Sequence, residues 1–170
     1  MTSEAVIRYA VLTISDRSFR GERPDEGGPR VRAAMDERGA KCVAAEVLPD
    51  EQAAIENRLR ELCDGAGVDL ILTTGGTGVA PRDVTPEATL AVAERLVPGM
   101  AEAMRAASLA VTPMAMISRA VAAIRGRTLI VNLPGSPKGA IECLDVVAPV
   151  LNHAVRLLRA EADEHAPKTT

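Results

Sequence analysis

Aromatic residues are nearly missing from this chain: its 170 residues hold one Phe, one Tyr and no Trp. That excludes a cleft lined with rings. It also argues against single-stranded nucleic-acid binding, which stacks bases on aromatic side chains. No basic block is present; acids and bases are mixed and the net charge is −3, so no nucleic-acid surface is indicated. No stretch approaches the roughly 20 apolar residues that span a bilayer. Met1-Thr-Ser-Glu-Ala5 lacks the basic start and apolar centre of a signal peptide. Cys42, Cys63 and Cys143 form no C-x-x-C pair, and only His153 and His165 are available to join them as soft ligands. Structural zinc is therefore disfavoured, and the thiols read as buried groups in a reducing cytoplasm.

What is present is aliphatic. Nearly half the residues are apolar, 47%, enough for the core of one domain built from Ala, Val, Leu, Ile and some Met. Apolar runs at Val6–Ile14, Cys42–Leu48, Val68–Thr73 and Arg127–Leu133 read as buried strands. Residues 15–29 are polar and rich in Gly and Pro, so they read as a loop. Helices are expected over Val31–Arg38, from Asp50 as N-cap to about Cys63, over Glu87–Arg95 behind Pro86, and from Pro98-Gly99 to about Leu109. Residues 111–124 carry no clear signal, and a helical region with Pro149 inside it runs to about Arg159. Strands alternating with helices predict an α/β fold, a three-layer α/β/α sandwich with a mostly parallel central sheet. Residues 1–160 form one expected domain, with 161–170 a disordered tail.

Ligands of such sheets sit outside the carboxyl ends of the strands. Three strands here end in polar or glycine-rich loops: Ser15-Asp16-Arg17, Thr74–Gly78 and Asn132–Gly139. Gly75, Gly76 and Gly78 let the backbone approach a ligand and adopt positive φ, so successive amides can form a concave anion site. Thr73, Thr74 and Thr77 add hydroxyls. The loop is neither a Walker A sequence nor a G-x-G-x-x-G fingerprint. Asp50 and Asp83 follow the second and third strands, and two carboxylates plus substrate phosphates suit Mg2+. Taken alone, Asp50 reads as well as a helix cap, and Asp83 as a turn residue or a partner of Arg82. The loop from Asn132 through Pro134, Gly135, Ser136 and Lys138 offers an amide, backbone donors and a cation. Ser108 and Ser118 alone read as helix hydroxyls bonded to carbonyls. No nucleophilic triad is suggested.

The loops as an ordered set resemble the molybdopterin adenylyltransferase family, of the MogA/MoaB type and the G domain of gephyrin-like proteins. The resemblance rests on Leu12-Thr-Ile-Ser-Asp-Arg17, Pro49-Asp-Glu51, Leu70-Ile-Leu-Thr-Thr-Gly-Gly-Thr-Gly78 and Pro81-Arg-Asp-Val-Thr-Pro-Glu-Ala-Thr89. It extends through Pro98-Gly99, Ser118-Arg119, Ile124-Arg-Gly126 and Asn132-Leu-Pro-Gly-Ser-Pro137. It implies transfer of AMP from MgATP to the terminal phosphate of molybdopterin, with release of pyrophosphate, by a homotrimer that hands its product to a separate molybdenum insertase. By position, Asp50 and Asp83 match the family's essential aspartates, with Mg2+ held between them and the substrate phosphates. Thr74, Gly75, Gly76, Thr77 and Gly78, with Asn132, Pro134, Gly135 and Ser136, match the nucleotide and pterin-phosphate loops. Ser15 and Asp16 match the first-strand loop, and Ser108 and Ser118 the pterin side. One departure is Asp25-Glu-Gly-Gly-Pro29, where many members have Ser in place of Gly27. The resemblance leaves open a non-catalytic molybdopterin carrier or scaffold. Because no insertase domain is attached, the chain is expected to act alone.

Overall fold

The computed structural model describes residues 6–65 and 67–159. Six strands form one sheet in the order β2-β1-β3-β6-β5-β4. These are β1 (Arg8–Ile14), β2 (Lys41–Leu48), β3 (Leu70–Thr74), β4 (Arg95–Leu96), β5 (Ala122–Arg125) and β6 (Thr128–Leu133). The first three and β6 run parallel, while β5 is antiparallel to β6 and β4 to β5.

Side chains alternate across each central strand. Tyr9, Val11, Leu70 and Leu72 face one core, and Ala10, Leu12, Ile14 and Ile71 face the other. Both faces need cover, which explains why these strands are apolar throughout rather than alternating. Helices α2 (Gly27–Glu37), α5 (Pro98–Leu109) and α6 (Pro137–Leu158) pack on the first face. Helices α3 (Gln52–Asp64) and α4 (Thr85–Val92) pack on the second. The result is the expected three-layer α/β/α sandwich. Among the described residues, no helix is long and apolar enough to cross a membrane.

Several local expectations change. The polar loop after β1 contains a four-residue helix, α1 (Asp16–Phe19), capped by Ser15. Helix α2 begins at Gly27, four residues before the expected start, because Asp25 accepts the Gly28 N–H at 3.0 Å and fixes the first turn. Asp50 does not cap α3; Glu51 occupies the N-cap without a side-chain bond, and the Asp50 carboxylate turns elsewhere. Helix α4 stops at Val92, and Arg95-Leu96 becomes an edge strand. The unassigned stretch resolves into a 3-10 segment, Pro113–Ile117, followed by β5. A two-residue hairpin then joins β5 to β6, with Gly126 at φ 57°, the left-handed backbone such a tight turn requires. Pro149 lies inside a continuous α6. The expected tail, 161–170, lies outside the described residues.

Candidate active site: two cavities meeting at a glycine loop

The parallel strands β1, β2, β3 and β6 all end at one edge of the sheet. Sequence order reverses there: β2 lies on one side of β1 and β3 on the other. A crevice opens at such a switch point, lined by Thr13 and Ile14 at the end of β1, Thr74 at the end of β3 and Gly75 just beyond it. This polar cavity of about 720 Å3 is also lined by Ser15, Asp16, Arg17, Arg23, Asp50 and Asp83. A second cavity of about 520 Å3 lies beside it. Thr77, Gly78, Ser108, Ser118 and Asn132 line that one, together with an apolar wall from Met104, Val111, Met114 and Ile117. Gly76, Asp83, Gly135 and Ser136 are common to both. All the proposed site residues therefore gather at one end of the sheet, and they divide between two adjoining cavities.

The glycine loop is built by close approach. Gly75 has φ 104°, and a Cβ there would lie 2.3 Å from the Ile14 carbonyl oxygen. Gly76 has φ 66°, and its Cβ would lie 2.3 Å from Thr85 Oγ1 and 3.3 Å from Asp50 Oδ1. Only glycine fits this path. Hydroxyls then lock it: Thr85 Oγ1 donates to Gly75 O at 2.9 Å, and Thr74 Oγ1 to Pro134 O at 2.8 Å. The second bond ties the glycine loop to the loop after β6.

Asn132 has a different place from the one its residue type suggests. Its side chain is fully buried, and its amide N–H groups donate to Thr73 Oγ1 and Thr89 Oγ1, both at 3.0 Å. Its Oδ1 accepts the Val121 N–H at 3.2 Å. The side chain thus braces β6 and α4 under the cavity floor. Ser136 caps α6 by accepting the Gly139 N–H at 3.2 Å. Ser108 Oγ meets Cys143 Sγ at 3.5 Å, and Ser118 Oγ accepts the Ala120 N–H at 3.4 Å. Neither serine bonds back within a helix.

Three carboxylates converge on the polar cavity. Asp16 and Asp50 exchange bonds: the Asp16 N–H donates to Asp50 Oδ2 at 2.7 Å and the Asp50 N–H to Asp16 Oδ1 at 3.0 Å. Arg82 does not pair with Asp83; its fork grips Asp16 at 2.5 and 3.0 Å. That guanidinium holds the Asp16 carboxyl below the usual range. Burial pushes the Asp50 carboxyl up, and the charges of Asp16 and Asp83 add to the rise. Asp83 Oδ2 accepts the Ala80 N–H at 2.9 Å, and a Cβ at Gly78 would lie 2.8 Å from it.

Oδ1 of Asp50 and Oδ1 of Asp83 accept no hydrogen bond among the described residues. Two open carboxylate oxygens, one of them on a carboxylate crowded by like charge, could serve a hard cation. Among the described residues, no three Cys, His, Asp or Glu side chains form a metal-holding group. Asp50 and Asp83 are the side chains that could hold an ion such as Mg2+, with ligand oxygens rather than a closed protein cage completing its shell.

Residue typing alone passed over Arg82 and Arg119. Both act on loops rather than in the cavities, and only their position in the motif stretches hinted at a role. Asp25 was also passed over. It accepts from Thr13 Oγ1 at 2.8 Å and anchors the polar cavity's rim. Gly27 leaves room beside Thr74; a Cβ there would lie 3.3 Å from Thr74 Oγ1. A serine in its place would crowd the strand end.

A three-layer α/β/α domain with two cavities at the carboxyl ends of its parallel strands has the layout of a ligand-binding α/β domain. The chain belongs to the family described as the probable molybdopterin binding domain, whose model matches residues 10–153. A molybdopterin adenylyltransferase of Haemophilus influenzae is 46% identical over 145 residues, covering 84% of this chain and 74% of that protein. One from Escherichia coli is 47% identical over 143 residues, covering 83% and 73%. Among solved structures, the molybdopterin biosynthesis enzyme MoaB of Thermus thermophilus superposes with a TM-score of 0.86 at 52% identity, over 91% of this chain and 98% of that one.

Proposed function

We propose that this chain is a molybdopterin adenylyltransferase, moving AMP from ATP to the terminal phosphate of molybdopterin in molybdenum cofactor biosynthesis. The observation that carries the reading is the pair Asp50 and Asp83, with open oxygens, where a polar cavity meets a second, largely apolar one. Two anionic substrates reacting at their phosphates need two adjoining pockets and shared charge control.

In this reading the polar cavity takes the nucleotide, with the exposed Arg17 and Arg23 at its rim beside the polyphosphate. The second cavity takes the pterin against Met114, Ile117, Ser108 and Ser118. Backbone amides of Gly76 and Gly135 would face the phosphates between them, while the Gly75 N–H is given to Leu133 O at 3.2 Å. A terminal phosphate oxygen of the pterin attacks the α-phosphorus of ATP. The new P–O bond forms as the bond to the β-phosphate oxygen breaks, and pyrophosphate leaves with that electron pair. The attacking phosphate is already ionised at neutral pH, so no strong base is required. In-line positioning and charge stabilisation carry the rate. Asp50 and Asp83 would hold Mg2+, which neutralises the crowded phosphates when bound.

The exposed apolar residues Leu109 and Met116, outside the second cavity, support a contact with further copies, and we propose a homotrimer serving a separate insertase. Sedimentation showing a monomer at micromolar concentration removes the trimer. Incubation with molybdopterin and MgATP is expected to yield adenylylated pterin and pyrophosphate. Product no greater than in an enzyme-free control, with pterin still bound, would favour a carrier instead. Asp83→Ala is expected to lower turnover by on the order of 100-fold or more with the fold intact, and a fully active variant refutes that role.

A further inference from the structure

Asp83 sits in a turn, 78–83, that no regular element supports. Within the turn its N–H donates to Ala80 O at 2.9 Å, and its carboxylate accepts the Ala80 N–H at 2.9 Å. The direction of the carboxylate is therefore set by the shape of the turn. Two side chains tie the turn to the rest of the molecule. One is Arg82, which leans outward to Asp16 with 60% of its side chain exposed. The other is Arg119, which reaches in from the end of the 3-10 segment.

Arg119 grips the turn at both ends. Its backbone N–H donates to Thr77 O at 2.8 Å, Nε to Gly78 O at 2.6 Å, and Nη2 to Asp83 O at 2.5 Å. The remaining face of the guanidinium pairs with the Glu87 carboxylate in the first turn of α4. Arg119 holds that carboxyl below its usual range. A planar five-donor fork reaches two carbonyls and a carboxylate at once; a lysine ammonium does not. The chain just before Arg119 (Ala115, Ile117 and Ser118) lines the apolar cavity. One residue thus links the wall of that cavity to the aspartate that both cavities share.

We infer that Arg119, clasped by Glu87, is the positioning residue that sets the Asp83 carboxylate and ties it to the wall of the second cavity. This rests on the reading of Asp83 as a catalytic residue. It predicts an effect on Asp83 rather than on folding, because the flanking backbone is anchored separately. Thr85 N–H donates to Gly76 O at 3.1 Å, and Thr85 Oγ1 to Gly75 O.

The test uses the full chain and three variants: Arg119→Gln, Arg119→Lys and Glu87→Gln. Each is assayed for kcat and KM with both substrates and for the Mg2+ concentration giving half-maximal rate. Amide hydrogen exchange is followed in parallel. Arg119→Gln is expected to lower kcat about tenfold or more with KM values within about threefold, since misplacement by about 1 Å has such effects. Half-maximal Mg2+ should rise about threefold. Exchange of the Ala80 amide should speed up about tenfold while the Thr85 amide changes little. Arg119→Lys should recover only part of the loss, and Glu87→Gln should show a smaller loss of the same kind. Unchanged kcat in Arg119→Gln overturns the inference, and so does a fall in kcat with unchanged Ala80 exchange. If Arg119→Gln does not fold, Glu87→Gln decides by the same amide. If the wild-type chain makes no adenylylated pterin, the functional reading fails, and the exchange arm still decides whether Arg119 sets the turn.

Discussion

The two cavities share a rim and differ in almost everything else. In the polar one, charged groups are held by bonds that leave little freedom: Asp16 and Asp50 hold each other's N–H, and Arg82 forks onto Asp16. In the apolar one, the wall is a 3-10 segment whose Met114, Met116 and Ile117 stand largely in solvent. On the function proposed above, the difference follows from what each cavity would take. A phosphate is steered by charge placed to within fractions of an ångström, and the donors must be fixed before it arrives. A flat organic ring is gripped by area, which flexible side chains supply without a fixed geometry.

Breaking the polar cavity should have the largest effect. Asp50→Asn keeps an acceptor for the Asp16 N–H and removes one of three crowded charges. Turnover is expected to fall by about 100- to 1000-fold, while the melting temperature stays level or rises, because Asp50 is half-buried beside like charge. A variant retaining a tenth of wild-type turnover would sink the assignment of Asp50.

Next comes the rim that the cavities share. Gly75→Ala places a methyl 2.3 Å from the Ile14 carbonyl at φ 104°. The strand end must move, and the expected cost is roughly 2–4 kcal/mol of stability. Both substrates should bind more weakly, because Gly135 packs against the Gly75 backbone with a Cβ position 3.2 Å from Gly75 Cα. Denaturant melts showing a loss below 1 kcal/mol, roughly the scale of an ordinary surface change, would contradict the close-approach account.

The apolar wall should break more gently. Met114 is 64% exposed, so Met114→Ser should change stability by less than about 0.5 kcal/mol. The KM for the pterin should rise about threefold to tenfold with kcat within twofold, the signature of lost uniform binding. A fall in kcat with unchanged KM would show that this wall also shapes the transition state.

How far the sequence revealed this contrast depends on the kind of structure involved. The four parallel strands were legible because each is a mainly apolar run, broken by Glu46 in the edge strand β2, which alternates toward solvent. The glycine loop was legible because its path admits no side chain. The apolar wall was not: residues 111–124 pair a short 3-10 turn with a four-residue strand, and neither is long enough to show a period. Asn132 illustrates a second limit. Its residue type suggested a ligand contact, but buried threonines from β3 and α4 take both amide donors. Asp50 shows the reverse, a residue with strong capping propensity drawn away by a tertiary partner. The roles of Arg82 and Arg119 are long-range contacts across 66 and 36 positions, which no local pattern encodes.

The smallest effect expected is a shift along the pH axis, and it separates the cavities without abolishing either. Asp50 must be ionised to hold a cation, and its carboxyl is already raised by burial and by Asp16 and Asp83, while the Arg82 charge pulls it back down. Arg82→Gln removes that opposing charge and also frees Asp16 from the fork that lowers it. Both carboxyls should then hold their protons to higher pH. The acid limb of kcat/KM should accordingly move toward neutral pH, with the plateau above it little changed. The sign for stability is opposite to that of a group raised by a partner. The Asp16 contribution, from a carboxyl lowered in the fold, is present above the ordinary aspartate pKa and lost as pH falls through the lowered value. Arg82→Gln should therefore flatten the acid side of the stability profile. Met114→Ser, on the other wall, should leave the acid limb where it is. If the two variants move that limb equally, the division into a charge-controlled cavity and an area-controlled one is wrong.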